Sequence, residues 1–412
     1  MKRADSSLPQ PGTPNTPHIG MHLQGAARTD ERVLREARAL VGAGYAVTIL
    51  DTDPDVTRPR IETLDGVTLR HLPKPQRRIL PGKLGTAINV WRQLPARIRA
   101  LRALRADAYH AHDTNTLLAS YIAARLSRKP VILDAHELPG FLPSILARPV
   151  QRRFHLALLR RLTPGCAAVI TVSPPIVDEI ARRYGGPRAV LVRNMPLYQK
   201  SVTSDRLRER LHLLPETHIA LYQGGLQVNR SLDTLVRAAR FLPDGIVIVI
   251  MGDGPSKAEL EALIVAEGVG ERVRLVPAVP YAELLSWTAS ADLGLTLFSP
   301  DFSPSIRYCL PNKLFEYLMA GLPVLSSQLP AVAEVLARYE VGQVCPSLEP
   351  EVVASSIATM LADEEGLAAM RRRALAASAT DLNWEQEQTT LLHLYEGLLH
   401  AQPKAVVSEM AH

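Results

Sequence analysis

Short apolar runs alternate with longer amphipathic stretches along almost the whole chain, and this alternation constrains the fold more than any other feature. In the first half, the candidate strands span residues 46–50, 67–72, 108–112, 130–136, 167–173 and 189–194. Helix-like segments such as 30–44 and 116–127 lie between them. Strands that alternate with helices of about ten or more residues are typical of βαβ units and a parallel sheet. The sequence therefore predicts an α/β fold.

The pattern pauses once, at the polar stretch 195–205, and then begins again. The second series of candidate strands spans 218–225, 246–254, 273–277, 293–299, 323–327 and 341–344. A chain of 412 residues is too long for one ordinary core and suits two domains. We therefore predict two doubly wound, Rossmann-like domains that face a cleft, at 18–198 and 206–382, followed by a helix at 383–401. Residues 1–17, rich in Pro, Ser and Thr, are predicted to be a disordered tail.

The basic residues are concentrated in the first half. Lys and Arg number 47 against 41 Asp and Glu, a net charge of +6, and two stretches, 74–106 and 147–163, contain no acid. Their cations alternate with Leu, Ile, Trp or Phe, which favours either an anionic membrane surface or acceptor, or a solvated helix face. Nucleic-acid binding is not expected, because the chain lacks an aromatic stacking pattern and any recognised nucleic-acid module.

The three cysteines, Cys166, Cys309 and Cys345, are widely spaced and form no Cys-x-x-Cys pair. They therefore predict neither a disulfide framework nor a zinc knuckle, and a reducing cytoplasm is the expected location. The first residues lack the apolar segment of a signal peptide, and no run of about 18 apolar residues occurs that could span a membrane. A peripheral contact with the inner face of an anionic membrane is the further expectation from the basic stretches.

Ligands of parallel sheets bind at the carboxyl ends of the strands, so residues that follow strands are the candidates. Gly224 and Gly225 end a strand before Arg230 and a predicted helix that Ser231 or Asn229 is expected to cap. Glycines allow a close approach of the backbone, and a helix N-terminus attracts anions. The alternative is a plain strand–turn–helix connection with a surface arginine. The turn at Gly252, in MGDGP, is by itself a common type of turn.

The segment PNKLFE, residues 311–316, opens a second helix that carries candidate ligand contacts. Asn312 and Lys313 stand at its start, where Lys313 can meet a phosphate, and Glu316 one turn later can accept hydrogen bonds from a ribose diol. The alternative is a capping arrangement in which Glu316 complements the helix dipole. The functional interpretation is favoured, because this loop and the Gly224 loop should face the same crevice.

Two strands of the first half end in histidine clusters, HAHD at 110–113 and DAHE at 134–137. Two such clusters in one domain favour a site there, although a single histidine is more often simply packed or solvated. The His-x-His spacing of the first cluster could suggest a metal. No third or fourth ligand is spaced to complete a coordination sphere, so the sequence predicts no metal site.

Taken in order, these motifs resemble the GT-B glycosyltransferases of the large retaining family four, which includes glycogen synthase-like and mannosyltransferase-like enzymes. The similarity spans about residues 19–400 and rests on HAHD, DAHE, VRNMP, YQGGL, MGDGP and PNKLFEYLMAGLPVLSS. It implies a nucleotide-sugar donor, UDP- or GDP-linked, in the C-terminal domain and a carbohydrate or lipid-linked acceptor in the N-terminal domain. It also implies a retaining, metal-independent reaction without a cofactor, and a last helix, carrying Trp384, that crosses back onto the N-terminal domain.

The resemblance also assigns roles residue by residue. Of the Glu-x7-Glu pair that holds the donor in the family, the second member matches Glu316 and the first falls on Tyr308, which admits an altered donor geometry. The family arginine after the first glycine is replaced here by Gly225, and the family lysine by Arg230. We infer that Lys313 supplies the missing cation for the diphosphate. His136 is expected to contact the donor sugar. The predicted catalytic residues are thus His136, Arg230 and Lys313, and the predicted donor-binding residues are Gly224, Gly225, Arg230, Gly252, Tyr308, Asn312, Lys313 and Glu316.

Three alternatives remain at this point. A nucleotide-sugar 2-epimerase would share the fold but needs a set of carboxylates and histidines around the sugar ring that the sequence does not reveal. A non-catalytic nucleotide-sugar-binding relative is supported by Tyr308 in place of a glutamate. A nicotinamide dehydrogenase is disfavoured, because its glycine fingerprint and the acidic residue that follows it are missing.

Overall fold

The first half of the chain forms an eight-stranded sheet. The computed structural model describes residues 16–53, 55, 57–72 and 82–400. The strands of the first sheet are β1 (His18–His22), β2 (Ala46–Asp51), β3 (Ile61–Leu64), β4 (Val67–His71), β5 (Ala108–His112), β6 (Val131–Ala135), β7 (Ala168–Thr171) and β8 (Val190–Leu191). They are arranged in the order β3-β4-β2-β1-β5-β6-β7-β8. All neighbours pair in parallel except β3 and β4, which form an antiparallel hairpin at the edge.

The second half forms a six-stranded, entirely parallel sheet. Its strands are β9 (His218–Gln223), β10 (Ile246–Met251), β11 (Val273–Val276), β12 (Leu293–Thr296), β13 (Val324–Ser326) and β14 (Gly342–Val344), in the order β11-β10-β9-β12-β13-β14. In both sheets the chain winds outward in two directions from a strand near the centre. The predicted pair of doubly wound domains is therefore confirmed.

Helices connect the strands and cover the sheets. In the first half they are α1 (Glu31–Gly42), α2 (Gly82–Ala103), α3 (Thr114–Ser127), α4 (Pro143–Leu146), α5 (Pro149–Leu162) and α6 (Pro174–Tyr184). The second half contains α7 (Arg206–Leu211), α8 (Leu232–Ala238), α9 (Lys257–Ala266), α10 (Tyr281–Thr288), α11 (Pro304–Arg307), α12 (Asn312–Met319), α13 (Pro330–Tyr339), α14 (Pro350–Ala362), α15 (Glu364–Thr380) and α16 (Trp384–His400). Within the described ranges, no helix is both long and apolar enough to cross a membrane.

Strands that are apolar and buried on both faces of the sheet could be predicted from the sequence, and strands with polar or exposed residues were missed. Every residue of β10, IVIVIM, is buried, as expected for a parallel strand covered by helices on both sides. The sequence prediction missed β1, the strand between β2 and β5, because HIGMH contains two histidines and a glycine in place of an apolar run. It also missed β3, an edge strand whose residues alternate between exposed and half-buried.

Clusters of buried apolar side chains hold these layers together. One cluster fills the second half, and two lie in the first half. Successive residues of β6 alternate between the latter two, since Val131 and Leu133 belong to one cluster and Ile132 to the other. Side chains alternate across a strand, so the two clusters cover opposite faces of the first sheet.

The last helix, α16, returns to the first half, as the resemblance implies. Trp384, Leu391 and Tyr395 are buried in the same cluster as the residues of α1. The Glu387 carboxylate accepts a hydrogen bond of 2.6 Å from the backbone N–H of Arg193 and also ion-pairs with the Arg193 guanidinium. Apolar burial and an ion pair with little exposure therefore fix the crossover.

Parts of three sequence predictions lie outside the described residues. These are residues 1–15 of the predicted tail, residues 74–81 of the first basic stretch, and residue 401 at the end of the predicted last helix. The limits of the two domains at 18–198 and 206–382 stay predictions.

We expect Leu391→Ala to destabilise the N-terminal domain selectively. Leu391 is fully buried in the cluster that covers one face of the first sheet. Truncation of a buried leucine costs about 2–5 kcal/mol of unfolding free energy. Calorimetric unfolding of the variant should therefore show a lowered N-terminal transition and an unchanged C-terminal one. The exposed neighbour Thr390 provides the control, Thr390→Ala; a shift of the C-terminal transition alone would contradict the packing described.

Candidate functional site

A cleft between the two halves contains two adjoining cavities. The first, the Gly224 lobe, has a volume of about 420 Å³, and its lining includes Gly224, Gly225, Arg230, Lys313 and Glu137. The second, the Arg35 lobe, has a volume of about 460 Å³, and its lining includes Thr29, Asp30, Glu31, Arg35 and Tyr281. Both are lined by His136, Val172, Asn194, Leu310, Asn312 and Glu316. Three of the strand-end residues that the sequence suggested, Gly224, Gly225 and His136, thus meet in one cleft.

The turn after β9 brings the backbone to the floor of the Gly224 lobe. Gly224 has a φ of +121°, a value that side chains rarely allow. A Cβ atom on Gly252 would come 1.9 Å from the Gly224 carbonyl oxygen. Gly252 therefore packs behind the turn and does not line either lobe, which corrects its assignment as a direct ligand contact. Gly224 and Gly225 line the Gly224 lobe as predicted.

The prediction that a side chain caps α8 is wrong. Ser231 does occupy the N-cap position, but its φ of +49° is left-handed and its side chain makes no capping hydrogen bond. Asn229 lies one step earlier, in a short 3₁₀ turn. Because α8 has only seven residues and lacks this cap, its N-terminus by itself is a weak candidate for an anion site.

Two cations with aromatic neighbours face the Gly224 lobe. The Lys313 Nζ atom lies 3.5 Å from the Tyr222 ring centroid and 5.1 Å from that of Phe298, and the Arg230 guanidinium lies 4.1 Å from the Phe298 ring. Within the described part of the chain, neither cation forms a salt bridge, and Lys313 Nζ has no hydrogen-bond partner although it is buried. Burial lowers the pKa of Lys313 well below its usual range, and Arg230 lowers it further. An anionic ligand would supply the missing counter-charge.

Glu316, on the second turn of α12, faces both lobes. Its Oε2 atom accepts a hydrogen bond of 2.8 Å from Gln223 Nε2, and Thr288 in turn donates to the Gln223 side-chain oxygen at 2.7 Å. Burial raises the pKa of Glu316. The first residue before α12 is Pro311, and no side chain caps that helix, so the capping alternative for Glu316 does not hold. Its fixed carboxylate remains available to accept hydrogen bonds from hydroxyl groups.

Asn312, at the start of the same helix, links the two domains. Its side-chain oxygen accepts a hydrogen bond of 2.8 Å from Asn194 Nδ2 of the first domain. Asn312 also lines both lobes, so it is positioned at the junction of the cleft.

His136 follows β6 and lines both lobes between two carboxylates. Its Nε2 atom lies 2.8 Å from an Asp134 oxygen, and its Nδ1 atom lies 3.6 Å from an Asp113 oxygen. Burial alone lowers the pKa of His136, but the carboxylates of Asp134 and Asp113 outweigh it and raise the pKa to about 9. The ring therefore carries a positive charge at neutral pH on the side of the cleft that faces Arg230.

A buried polar network holds Asp134, the carboxylate that contacts His136. Arg32 of α1 donates to both oxygens of Asp134, at 3.2 and 2.9 Å, and His112 Nδ1 lies 3.3 Å from Asp134. Arg32 also lies 3.0 Å from Glu36, one helical turn later. This network could not be predicted from the sequence, because its only local signal is the i, i+4 spacing of Arg32 and Glu36 on α1.

The fold brings two further candidate ligands to the His-x-His pair that the spacing in the sequence did not indicate, and the prediction of no metal site stays a prediction. Glu36, His110, His112 and Asp134 come close enough together to hold a metal ion. The Arg32 guanidinium, however, already pairs with Asp134 and Glu36 and brings a positive charge into the same cluster. This donor set is thus partly satisfied by a side-chain cation.

Tyr308 does not line the cleft. Its side chain packs against the apolar cluster of the first domain, and its backbone oxygen accepts a hydrogen bond of 2.6 Å from Ser173 Oγ. Its predicted contact with the donor is corrected to a contact between domains. Sequence reasoning instead missed Glu137, whose side chain lines the Gly224 lobe. Its position directly after His136, at the end of a strand, was the available signal.

Two family models match consecutive parts of the chain. The model described as glycosyl transferase 4-like domain matches residues 29–195, and the model described as glycosyl transferases group 1 matches residues 203–377. The D-inositol 3-phosphate glycosyltransferase of Xylanimonas cellulosilytica is 23% identical in an alignment 434 positions long, which covers 97% of this chain and 96% of that relative.

Solved structures share the fold. Sucrose-phosphate synthase from Thermosynechococcus elongatus matches with a TM-score of 0.76 and 18% identity, over 93% of this chain and 100% of that one. The Anabaena protein HepE in complex with UDP-glucose matches with a TM-score of 0.70 and 15% identity, over 92% of this chain and 100% of that one. With both halves matched in order and the two facing sheets in place, the chain belongs to the GT-B glycosyltransferases with a family-four-like organisation.

Proposed function

We propose that this glycosyltransferase moves a hexosyl unit from a nucleoside-diphosphate sugar in the Gly224 lobe to an acceptor in the Arg35 lobe. The observation that carries the proposal is the pair of unpaired cations, Arg230 and Lys313, beside the Gly224–Gly225 turn. A diphosphate would supply the negative charge that the buried Lys313 and the half-buried Arg230 lack. The exposed backbone of the turn permits the same group to approach closely.

Glu316 gives the proposed donor its orientation. Its carboxylate, fixed by Gln223, faces both lobes and is suited to accept hydrogen bonds from the two ribose hydroxyls. The structural neighbour HepE is in complex with UDP-glucose. A UDP- or GDP-sugar is therefore the donor class we propose.

The proposed reaction breaks the bond between the anomeric carbon and the diphosphate oxygen and forms a bond from the acceptor oxygen to that carbon. Negative charge develops on the departing diphosphate, where Arg230 and Lys313 stabilise it. The charged ring of His136 lies on the opposite wall and adds to this stabilisation. We further propose that the acceptor proton passes to a phosphate oxygen, that the anomeric configuration is retained, and that the transfer requires neither a divalent metal nor a cofactor.

The proposed acceptor lies in the Arg35 lobe. Arg35 of α1 is nearly buried, donates to Asn194, and lies 3.5 Å from the Tyr281 hydroxyl of the second domain. The Xylanimonas relative is named for D-inositol 3-phosphate. A carbohydrate, lipid-linked or polyol-phosphate acceptor with free hydroxyls suits this polar lobe.

We also propose that α5 contacts an anionic membrane surface. Val150 is 80% exposed and Phe154 is 55% exposed on this helix. Four arginines at or within it are exposed: Arg148, Arg153, Arg160 and Arg161. Exposed apolar side chains among cations favour binding at the interface of an anionic bilayer.

The donor assignment is tested with a panel of UDP-, GDP-, dTDP- and ADP-sugars. We expect one of the corresponding nucleoside diphosphates to bind in calorimetry, with an affinity at least about tenfold lower in Arg230→Ala, Lys313→Ala and Glu316→Ala. With inositol 3-phosphate and related polyols as acceptors, release of the diphosphate should continue in the presence of EDTA.

The control for these variants is Arg210→Ala, since Arg210 is exposed on α7, away from the cleft. Unchanged affinity in all three site variants would refute the site. Complete loss of turnover in EDTA would refute the metal-free mechanism.

Diphosphate affinity should fall as the pH rises above the pKa of free Lys313. Burial lowers that pKa, whereas a bound diphosphate favours the ammonium form, so binding takes up a proton at alkaline pH. We would measure affinity and proton uptake above about pH 7.5, where the diphosphate itself is ionised, in buffers of different ionisation enthalpy.

His136, with a pKa of about 9, loses its charge in the same pH range. The dependence of diphosphate affinity on pH is therefore compared between His136→Gln and the double variant His136→Gln/Lys313→Met, and it should disappear in the double variant. An equal pH dependence in both variants would contradict the role of the Lys313 ammonium group.

Membrane contact is tested by sedimentation with vesicles of phosphatidylcholine alone or mixed with phosphatidylglycerol. We expect binding only to the mixed vesicles, weakened by salt because the attraction is electrostatic. The double variant Arg153→Glu/Arg160→Glu should lose it, and Arg210→Glu in the second domain should not. Equal binding of both variants would exclude α5 as the contact.

A further inference from the structure

The Gly224 lobe contains a carboxylate that the proposed donor contacts leave unused. Among its lining residues the acids are Glu137 and Glu316. Glu316 also borders the Arg35 lobe and is held by Gln223. Glu137 borders the Gly224 lobe but not the Arg35 lobe, and its side chain is exposed there. The two carboxylates thus occupy different parts of the cleft.

Glu137 is held in place by the opposite domain. Ser305 of α11 donates a hydrogen bond of 3.0 Å to Glu137 Oε2, and Ser305 Oγ accepts one of 3.3 Å from the backbone N–H of Leu138. Ser305 itself is buried. Within the described residues, no other hydrogen bond reaches this carboxylate. One of its oxygens is therefore fixed and the other is available to a ligand.

The charges around Glu137 restrict what that ligand group can be. Glu137 opens onto the cavity but is otherwise surrounded by protein, and this desolvation raises its pKa, whereas the Ser305 hydrogen bond and the charge of Arg230 lower it. A carboxylate repels phosphate oxygens, so it cannot be a contact for the diphosphate that Arg230 and Lys313 would bind. It is suited to hydroxyl groups, which donate hydrogen bonds to it.

We propose that Glu137 is a specificity-determining residue that accepts hydrogen bonds from hydroxyl groups of the transferred sugar. In a nucleoside-diphosphate sugar, hydroxyls flank the diphosphate at two ends, the ribose and the sugar. Glu316 faces the part of the cleft shared by the two lobes, and Glu137 lies beside His136 and Arg230 in the Gly224 lobe. This inference rests on the proposed function, since it assumes that the diphosphate binds at Arg230 and Lys313.

The test compares binding of the diphosphate with binding of the intact donor. Calorimetry on the full chain would use UDP against UDP-glucose and GDP against GDP-mannose. In Glu137→Gln, we expect the diphosphate to bind at least as tightly as it does to the unmodified chain, because a nearby negative charge is removed. The sugar nucleotide should bind about tenfold more weakly, because a charge-assisted hydrogen bond is lost. Ser305→Ala, which frees the carboxylate, should show a smaller loss of the same kind, and the exposed Glu261→Gln should show none.

A set of deoxy-sugar nucleotides identifies the contacted hydroxyl. Removal of that hydroxyl should weaken binding to the unmodified chain but not to Glu137→Gln, because the two changes remove the same interaction. Equal losses for diphosphate and sugar nucleotide in Glu137→Gln, or no loss in either, would overturn this inference alone. Failure of every diphosphate to bind the unmodified chain would overturn the proposed function together with it.

Discussion

The ion pair between Arg32 and Asp134 organises the N-terminal side of the cleft. It joins α1 to the end of β6 with two hydrogen bonds, and the same guanidinium donates at 3.0 Å to the carbonyl of Val192 near the domain junction. Both side chains are almost completely buried, so loss of either partner would leave an uncompensated charge. Asp134 also holds His136 and keeps it charged, with a pKa raised to about 9 against the opposing effect of burial. The charge of His136 in the cleft thus depends on the buried ion pair behind it, of which Arg32 also borders the Arg35 lobe.

The C-terminal side of the cleft, in contrast, presents cations and not ion pairs. Arg230 and Lys313 are placed against aromatic rings, without a carboxylate partner in the described part of the chain. Hydrogen bonds from Ser173 to the Tyr308 backbone and between Asn194 and Asn312 bring this side against the first domain. The site is consequently complete only when the two domains meet, and its unpaired positive charge favours an anionic ligand between them.

Most parallel strands of the two sheets could be predicted from the sequence, because strands that are buried on both faces appear as continuous apolar runs. The prediction failed for β1, which is central but contains polar residues and glycine, and for the exposed edge strand β3. At the site, strand ends and a glycine turn indicated Gly224 and His136, and the start of a helix indicated Lys313. The surroundings of these residues could not be predicted, since Asp134 and Arg32 are 102 positions apart and meet only through the fold. Tyr308 was misplaced because a motif position defines a place on the backbone and not the direction of its side chain.

Whether a nucleoside diphosphate binds between the Gly224 turn and the cations of the C-terminal domain is best tested by a crystal structure of the chain in complex with UDP or GDP. We expect phosphate oxygens within hydrogen-bonding distance of Lys313 Nζ and the Arg230 guanidinium, and ribose hydroxyls on Glu316. A nucleotide bound in the Arg35 lobe, with Lys313 still without a partner, would contradict this expectation.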